Sequence, residues 1–75
     1  MIMKKFNFNV KGISITVNSW KGDQRTMVAK VNTTIEYKDE KLRHSFFVEN
    51  GFNWYTNELN KKKVIEEITE FFKNF

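Results

Sequence analysis

The chain has 75 residues, contains no cysteine and carries a formal net charge of +4. A chain of this length forms one domain near the lower size limit for folding unaided, and without cysteine it has neither disulfides nor thiolate metal sites. Its start alternates apolar with polar residues, and no apolar run approaches the ~20 residues of a membrane span. These features predict a single cytoplasmic domain without a signal peptide.

The positive charge is concentrated in the first half of the chain. Residues 1–35 hold six basic residues and one acid, whereas residues 36–75 hold seven basic and eight acidic residues. A basic half is typical of proteins that bind nucleic acid. However, eleven of the thirteen basic residues are lysine, and a chain rich in lysine and asparagine is also typical of an AT-rich genome. Both interpretations stay open at this point.

The first two predicted elements form a hairpin. Apolar residues occupy every second position on both sides of Lys11-Gly12, and a period of two predicts half-buried strands over residues 4–11 and 13–18. A two-residue turn would put every apolar side chain on one face, which specifies the register. The expected pairs are Val10 with Ile13, Phe8 with Ile15 and Phe6 with Val17.

A second hairpin is predicted after a polar loop. The loop, residues 18–26, carries Trp20, and alternation then predicts strands over residues 26–37 and 42–49. A turn centred on residues 39–40 keeps the apolar faces in agreement. The expected pairs are Tyr37 with Leu42, Ile35 with His44 and Val31 with Val48.

The stretch after this hairpin allows two structures. Asn50-Gly51 is the strongest turn dipeptide in the chain, and it is followed either by a short strand over residues 52–55 or by a folded loop. A strand would gather Phe47, Phe52 and Trp54 on the face opposite the core. In the alternative, Phe52 and Trp54 fold back to cover the core or the end of the helix.

The C-terminal segment predicts a helix over residues 60–74. Asn60 would be its N-cap, and Leu59 would pack on Val64 as a hydrophobic staple. Three lysines would then fill the first turn, where they oppose the helix dipole and could bind an anion; alternatively the helix begins nearer Thr56 and glutamates neutralise them. The apolar stripe consists of Val64, Ile65, Ile68, Phe71, Phe72 and Phe75.

No group of residues predicts catalysis, a metal site or a cofactor. His44 is the only histidine and is expected to be partly buried on the core face, while its neighbour Ser45 points to the other face. The paired acids are expected at a turn and on the outer side of the helix, where neither pair is desolvated as acid–base catalysis requires. The three glycines are isolated and form no phosphate-binding loop.

The predicted fold is α+β, with an antiparallel sheet of four or five strands in the order ββββα and the C-terminal helix packed on one face. This order resembles the single-stranded-DNA-binding domain of a family of transcription coactivators, although none of that family's motif residues is present. In size and in its lack of catalytic groups, the chain also resembles small inhibitors encoded by phages and mobile elements, including anti-CRISPR proteins.

The first functional hypothesis is a non-enzymatic protein-binding module, such as an inhibitor, that acts through an aromatic-rich sheet face. The alternative is a nucleic-acid-binding protein with lysine contacts and aromatic stacking, and a free sheet edge could also form a homodimer. The expected partner-binding residues are Trp20, Phe47, Phe52, Trp54 and Arg43. The expected anion or nucleic-acid contacts are Lys5, Lys11, Lys30, Lys61, Lys62 and Lys63.

Overall fold

The computed structural model describes residues 5–73 and confirms the α+β class. A four-stranded antiparallel sheet has the strand order β1-β2-β3-β4, and a helix follows it in the chain. A separate two-stranded sheet lies between them in sequence. The strands are β1 (Phe6–Val10), β2 (Ile13–Gly22), β3 (Ala29–Tyr37), β4 (Glu40–Val48), β5 (Phe52–Asn53) and β6 (Glu58–Leu59), and the helix is α1 (Lys61–Phe71).

The register predicted for the first hairpin is confirmed. Val10 pairs with Ile13, and the two preceding apolar pairs follow as expected. Lys11 and Gly12 form the turn with φ values of 50° and 80°, and positive φ at both central residues is what a type I′ hairpin turn requires. The predicted beginning of this strand at residue 4 lies outside the described residues.

Strand β2 continues through the segment that was predicted to be a loop. Its pairing with β3 shifts between Val17 and Ser19, which leaves Asn18 as the extra residue of a β-bulge. The bulge reverses the alternation of faces beyond it. Trp20 therefore lies opposite Val31 on the side of the helix, called here the inner face, and Lys21 lies on the outer face.

The register predicted for the second hairpin is wrong by two residues. Tyr37 pairs with Glu40, Ile35 with Leu42 and Val31 with Phe46. The turn consists of Lys38 and Asp39, whose φ values are 47° and 67°, so it is a tight two-residue turn one position earlier than expected. Because side chains alternate with a period of two, this shift keeps each residue on its predicted face.

The core lies between the inner face and α1. Within the described residues its buried apolar members are Val10, Ile13, Ile15, Val17, Ala29, Val31, Phe46, Val48, Phe52, Val64, Ile68 and Phe72. Thr33 is buried among them, and its hydroxyl donates a hydrogen bond to the His44 carbonyl over 2.7 Å.

The inner face is not covered to its end. Leu42 and Phe71 are 62% and 63% exposed, and His44 is exposed as well, next to the rings of Phe46 and Phe71. The predictions of a partly buried His44 paired with Ile35 and of a buried Phe71 are therefore wrong. The reason is geometric, because α1 ends at Phe71, beside the first inner-face residues of β4.

The helix begins where the N-cap prediction placed it. The Asn60 side chain accepts a hydrogen bond from the Lys63 N–H over 3.3 Å, and α1 starts at Lys61, not near Thr56. Leu59 packs against the core, and Val64 is fully buried within it, as the staple requires. The predicted last turn with Phe75 lies outside the described residues.

Residues after β4 fold back onto the core. Phe52 is 3% exposed, its N–H donates to the Met27 carbonyl, and its ring lies 5.6 Å from that of the half-buried Trp20. The prediction that Phe52 is exposed for a partner is therefore wrong, whereas Trp20 is only half-buried and its role in partner binding stays a prediction. The predicted extra strand exists only as β5, which pairs with β6 and not with β4.

Gly22 makes the burial of Phe52 possible, and its replacement by alanine tests this contact. A Cβ at Gly22 would lie 2.2 Å from the Phe52 ring, so Gly22→Ala must displace a fully packed aromatic. We expect the free energy of unfolding to fall by about 1–3 kcal/mol, as for other overpacked cores. Urea denaturation measures this change, with Asn9→Ala on the exposed outer face of β1 as the control. An unchanged midpoint in Gly22→Ala would contradict the packing described here.

Candidate functional site

The outer face of the four-stranded sheet, on the side away from α1, is basic. Side chains alternate along each strand, so the paired positions assign a defined set of residues to this face. Among the residues of β1–β4 it carries four cations and one acid, and Lys5 lies beside it immediately before β1. The cations are Lys21, Lys30, Lys41 and Arg43, and the acid is Glu36.

One row across the strands combines two cations with an aromatic ring. Lys21 lies directly opposite Lys30, and Lys30 lies directly opposite Phe47. Phe47 is 71% exposed, and all three side chains line a cleft together with the loop of residues 23–28. We call these three residues the Lys–Phe row. Like charges directly opposite each other destabilise a sheet, and Asp23 is an acid that lines the same cleft.

A polar network occupies the next row of the outer face. The amide of Asn32 donates to the Ser19 hydroxyl over 2.9 Å and accepts from the Ser45 hydroxyl over 2.8 Å. Asn18 donates to the Thr34 hydroxyl over 2.7 Å. These hydrogen bonds hold amide and hydroxyl groups in fixed positions beside the Lys–Phe row, where they can recognise a polar ligand without first losing much rotamer freedom.

The residues predicted to contact anions separate into two groups. Lys30 belongs to the Lys–Phe row, and Lys5 and Arg43 line a cleft beside the polar network. Lys11, by contrast, sits in the first turn, and its ammonium group donates to the Lys73 carbonyl beyond the end of α1. It points away from the outer face.

The three lysines that begin α1 lie on the inner side of the sheet. The ammonium group of Lys61 is 4.8 Å from the centre of the Phe6 ring, and Lys63 forms a 3.2 Å ion pair with Glu67. Lys62 is exposed on the same turn. Intramolecular contacts thus offset part of the unfavourable charge at the helix start, and these lysines do not converge with those of the outer face.

The predicted aromatic cluster does not form on the outer face. Only Phe47 lies there, because Phe52 is in the core and Trp54 is in the turn between β5 and β6. Trp54 is 45% exposed and stacks on Tyr55, which is 80% exposed, with ring centres 3.9 Å apart. The turn therefore presents an aromatic pair of its own.

Sequence reasoning missed Lys21 and the polar network. Lys21 was assigned to a loop because one extra residue, Asn18, interrupts the alternation. The signal that could have found it is the resumption of alternation one position later, with Trp20 as the next inner residue. The network was missed because Ser19 and Asn32 become neighbours only through that shifted register.

No group of three or more histidine, cysteine, aspartate and glutamate residues among the described residues could hold a metal ion. In residues 5–73, no helix is long and apolar enough to cross a membrane. Comparisons with protein-family models, curated proteins and solved structures find no match to this chain.

The like-charge pair of Lys21 and Lys30 leads to a prediction about stability. Replacing Lys30 by threonine removes the repulsion with Lys21 and introduces a residue that favours strands. We expect Lys30→Thr to raise the free energy of unfolding by about 0.2–1 kcal/mol at low salt, and the gain to shrink in high salt because of screening.

Urea denaturation at two salt concentrations measures this gain. The matched control is Lys41→Thr, because Lys41 lies opposite Glu36 and its loss removes an attractive pair instead. Equal effects of the two substitutions would show that the repulsion does not operate.

Proposed function

We propose that the protein is a non-enzymatic binding module that holds single-stranded nucleic acid on the outer face of its sheet. The observation that carries this proposal is the Lys–Phe row, in which Lys21 and Lys30 face each other beside the exposed ring of Phe47. A negatively charged ligand would turn this local repulsion into a favourable interaction.

The chemistry of the row matches the parts of a nucleotide. Aromatic side chains provide stacking surfaces for unpaired bases, and lysines contact phosphates. The neighbouring amide and hydroxyl groups of Ser19, Asn32 and Ser45 offer donors and acceptors to base edges. Together these groups satisfy the three requirements for holding a single strand, namely charge, stacking and hydrogen bonding.

The shape of the face favours a single strand over a duplex. The major groove of a DNA duplex admits a helix or a two-stranded ribbon, whereas the outer face belongs to a four-stranded sheet and exposes the ring of Phe47. Stacking on such a ring requires an unpaired base. Arg43 is the only arginine that the described strands place on this face, so we expect modest sequence preference, since arginine forms the commonest specific base contacts.

Fluorescence anisotropy of a labelled short single-stranded oligonucleotide across a salt series tests the proposal. We expect affinity to fall with salt, and Lys21→Ala and Lys30→Ala each to reduce the slope of log K against log salt by about 0.7, the contribution of one phosphate contact. Phe47→Ala should weaken binding about 5- to 150-fold, corresponding to the loss of one stacked base, with the slope unchanged.

Two control variants define what would contradict this outcome. Lys62→Ala removes an exposed cation from the helix side, and Tyr55→Ala removes an exposed ring outside the four-stranded sheet. Both should bind like the unsubstituted protein. Loss of binding in Lys62→Ala comparable to that in Lys30→Ala would place the ligand elsewhere, and absence of binding at low salt would overturn the proposal.

A second candidate function is protein binding of the inhibitor type, which the exposed Trp54–Tyr55 pair supports. Tryptophan and tyrosine are enriched among the residues that dominate protein interfaces, and here they are stacked on each other at a turn and thus partly ordered before binding.

A protein partner bound here should be lost by the double variant Trp54→Ala/Tyr55→Ala and retained by Lys21→Ala/Lys30→Ala. Surface-immobilised chain tested against candidate partners distinguishes the two, and the opposite pattern would contradict this function.

A further inference from the structure

Strand β4 is an unprotected edge of the sheet. It has nine residues, pairs with β3 along its whole length without a bulge, and forms no strand pairing on its other side within the described residues. The opposite edge, β1, has five residues. Proteins usually shorten, bend or cover such an edge, because its free N–H and C=O groups can pair with another chain.

The hairpin turn determines which residues of β4 direct their backbone N–H and C=O groups toward the free edge of the sheet. A two-residue turn makes Tyr37 and Glu40 a hydrogen-bonded pair, and such pairs alternate with non-hydrogen-bonded ones along an antiparallel ladder. The N–H and C=O groups directed toward the free edge are therefore those of Lys41, Arg43, Ser45 and Phe47.

Apolar surface adjoins this edge on the inner face. Leu42 and Phe71 are 62% and 63% exposed and line one groove with Ile35 and His44. A monomer leaves these side chains in water, although burial of each would stabilise the structure. An additional strand beside β4 would extend the inner face beside this groove and bring further side chains next to Leu42.

We propose that two copies of this chain join through their β4 strands, antiparallel and about a two-fold axis at Ser45, into one eight-stranded sheet. In this register Lys41 of each copy lies opposite Glu49 of the other, the residue directly after β4, and Arg43 lies opposite Phe47. Opposite charges and cation–aromatic pairs across strands are both favourable. On the inner face, Leu42 lies opposite Val48 and His44 opposite Phe46.

Charge complementarity selects this register over its neighbours. An axis at Arg43 would place the two copies of Arg43 directly opposite each other, which is unfavourable. An axis at His44 would place Glu40 opposite the apolar Val48 and would not form the ion pair between Lys41 and Glu49. An axis at Phe46 would pair Arg43 with Glu49 but would place the apolar Leu42 opposite Asn50. The axis at Ser45 is therefore the one that combines two ion pairs with an apolar partner for Leu42.

The absence of cysteine from the chain allows a direct test of the axis by introduced cysteines. Hydrogen-bonded antiparallel pairs have Cα atoms about 5.5 Å apart, within disulfide range, so Ser45→Cys in the two copies should cross-link. The full-length variant is oxidised mildly without nucleic acid and examined on a non-reducing gel. We expect Ser45→Cys to form covalent dimer about tenfold faster than the control Ser14→Cys, which lies on β2, because association raises the local thiol concentration.

Charge exchange tests the same register without a disulfide. Glu49→Lys places like charges opposite Lys41 of the second copy and should weaken the dimer about tenfold in sedimentation equilibrium, whereas Glu66→Lys on the exposed side of α1 should not. Adding Lys41→Glu to Glu49→Lys should restore association.

The outcomes that would overturn the proposal are specific. A monomeric chain in sedimentation, together with equal oxidation of Ser45→Cys and Ser14→Cys, would show that β4 does not pair with itself. Faster cross-linking of Arg43→Cys than of Ser45→Cys would place the axis elsewhere. Since nucleic acid is absent from these experiments, their failure leaves the function of the outer face a separate question.

Discussion

The bulge at Asn18 is the constraint on which both faces of the sheet depend. Without this extra residue, Trp20 would point to the outer face and Lys21 to the inner one. With it, Trp20 packs on Phe52, which lies over Gly22, and Lys21 comes to lie opposite Lys30. A single residue thus completes one end of the core and creates the Lys–Phe row.

The lysines at the start of α1 and the cations of the outer face have different roles. Because α1 covers the inner face, the lysines at its start contact groups of the same chain, such as the Phe6 ring and Glu67, and contribute to folding. The outer face has no covering element among the described residues, and its four cations within the strands face a single acid, Glu36. The uncompensated charge therefore remains where a ligand can reach it.

Features that depend on local sequence patterns could be predicted, whereas features that depend on contacts between residues far apart in the sequence were missed. Alternation and the Lys11-Gly12 turn were enough for the first register, and Asn60 with its staple was enough for the helix start. Alternation fixes the face on which a residue lies but not the residue it pairs with, so the predicted register of the second hairpin was wrong by two residues. The burial of Phe52 depends on the missing Cβ of Gly22, thirty positions earlier in the sequence, which no local pattern reveals.

The most direct test of the central claim is an NMR titration of the isotope-labelled chain with a short single-stranded oligonucleotide. The account predicts that the largest amide shift changes occur at the Lys–Phe row and at Ser19, Asn32 and Ser45, with little change along α1. Changes concentrated at Lys61–Lys63, or none at low salt, would contradict the assignment of the outer face as the ligand-binding surface.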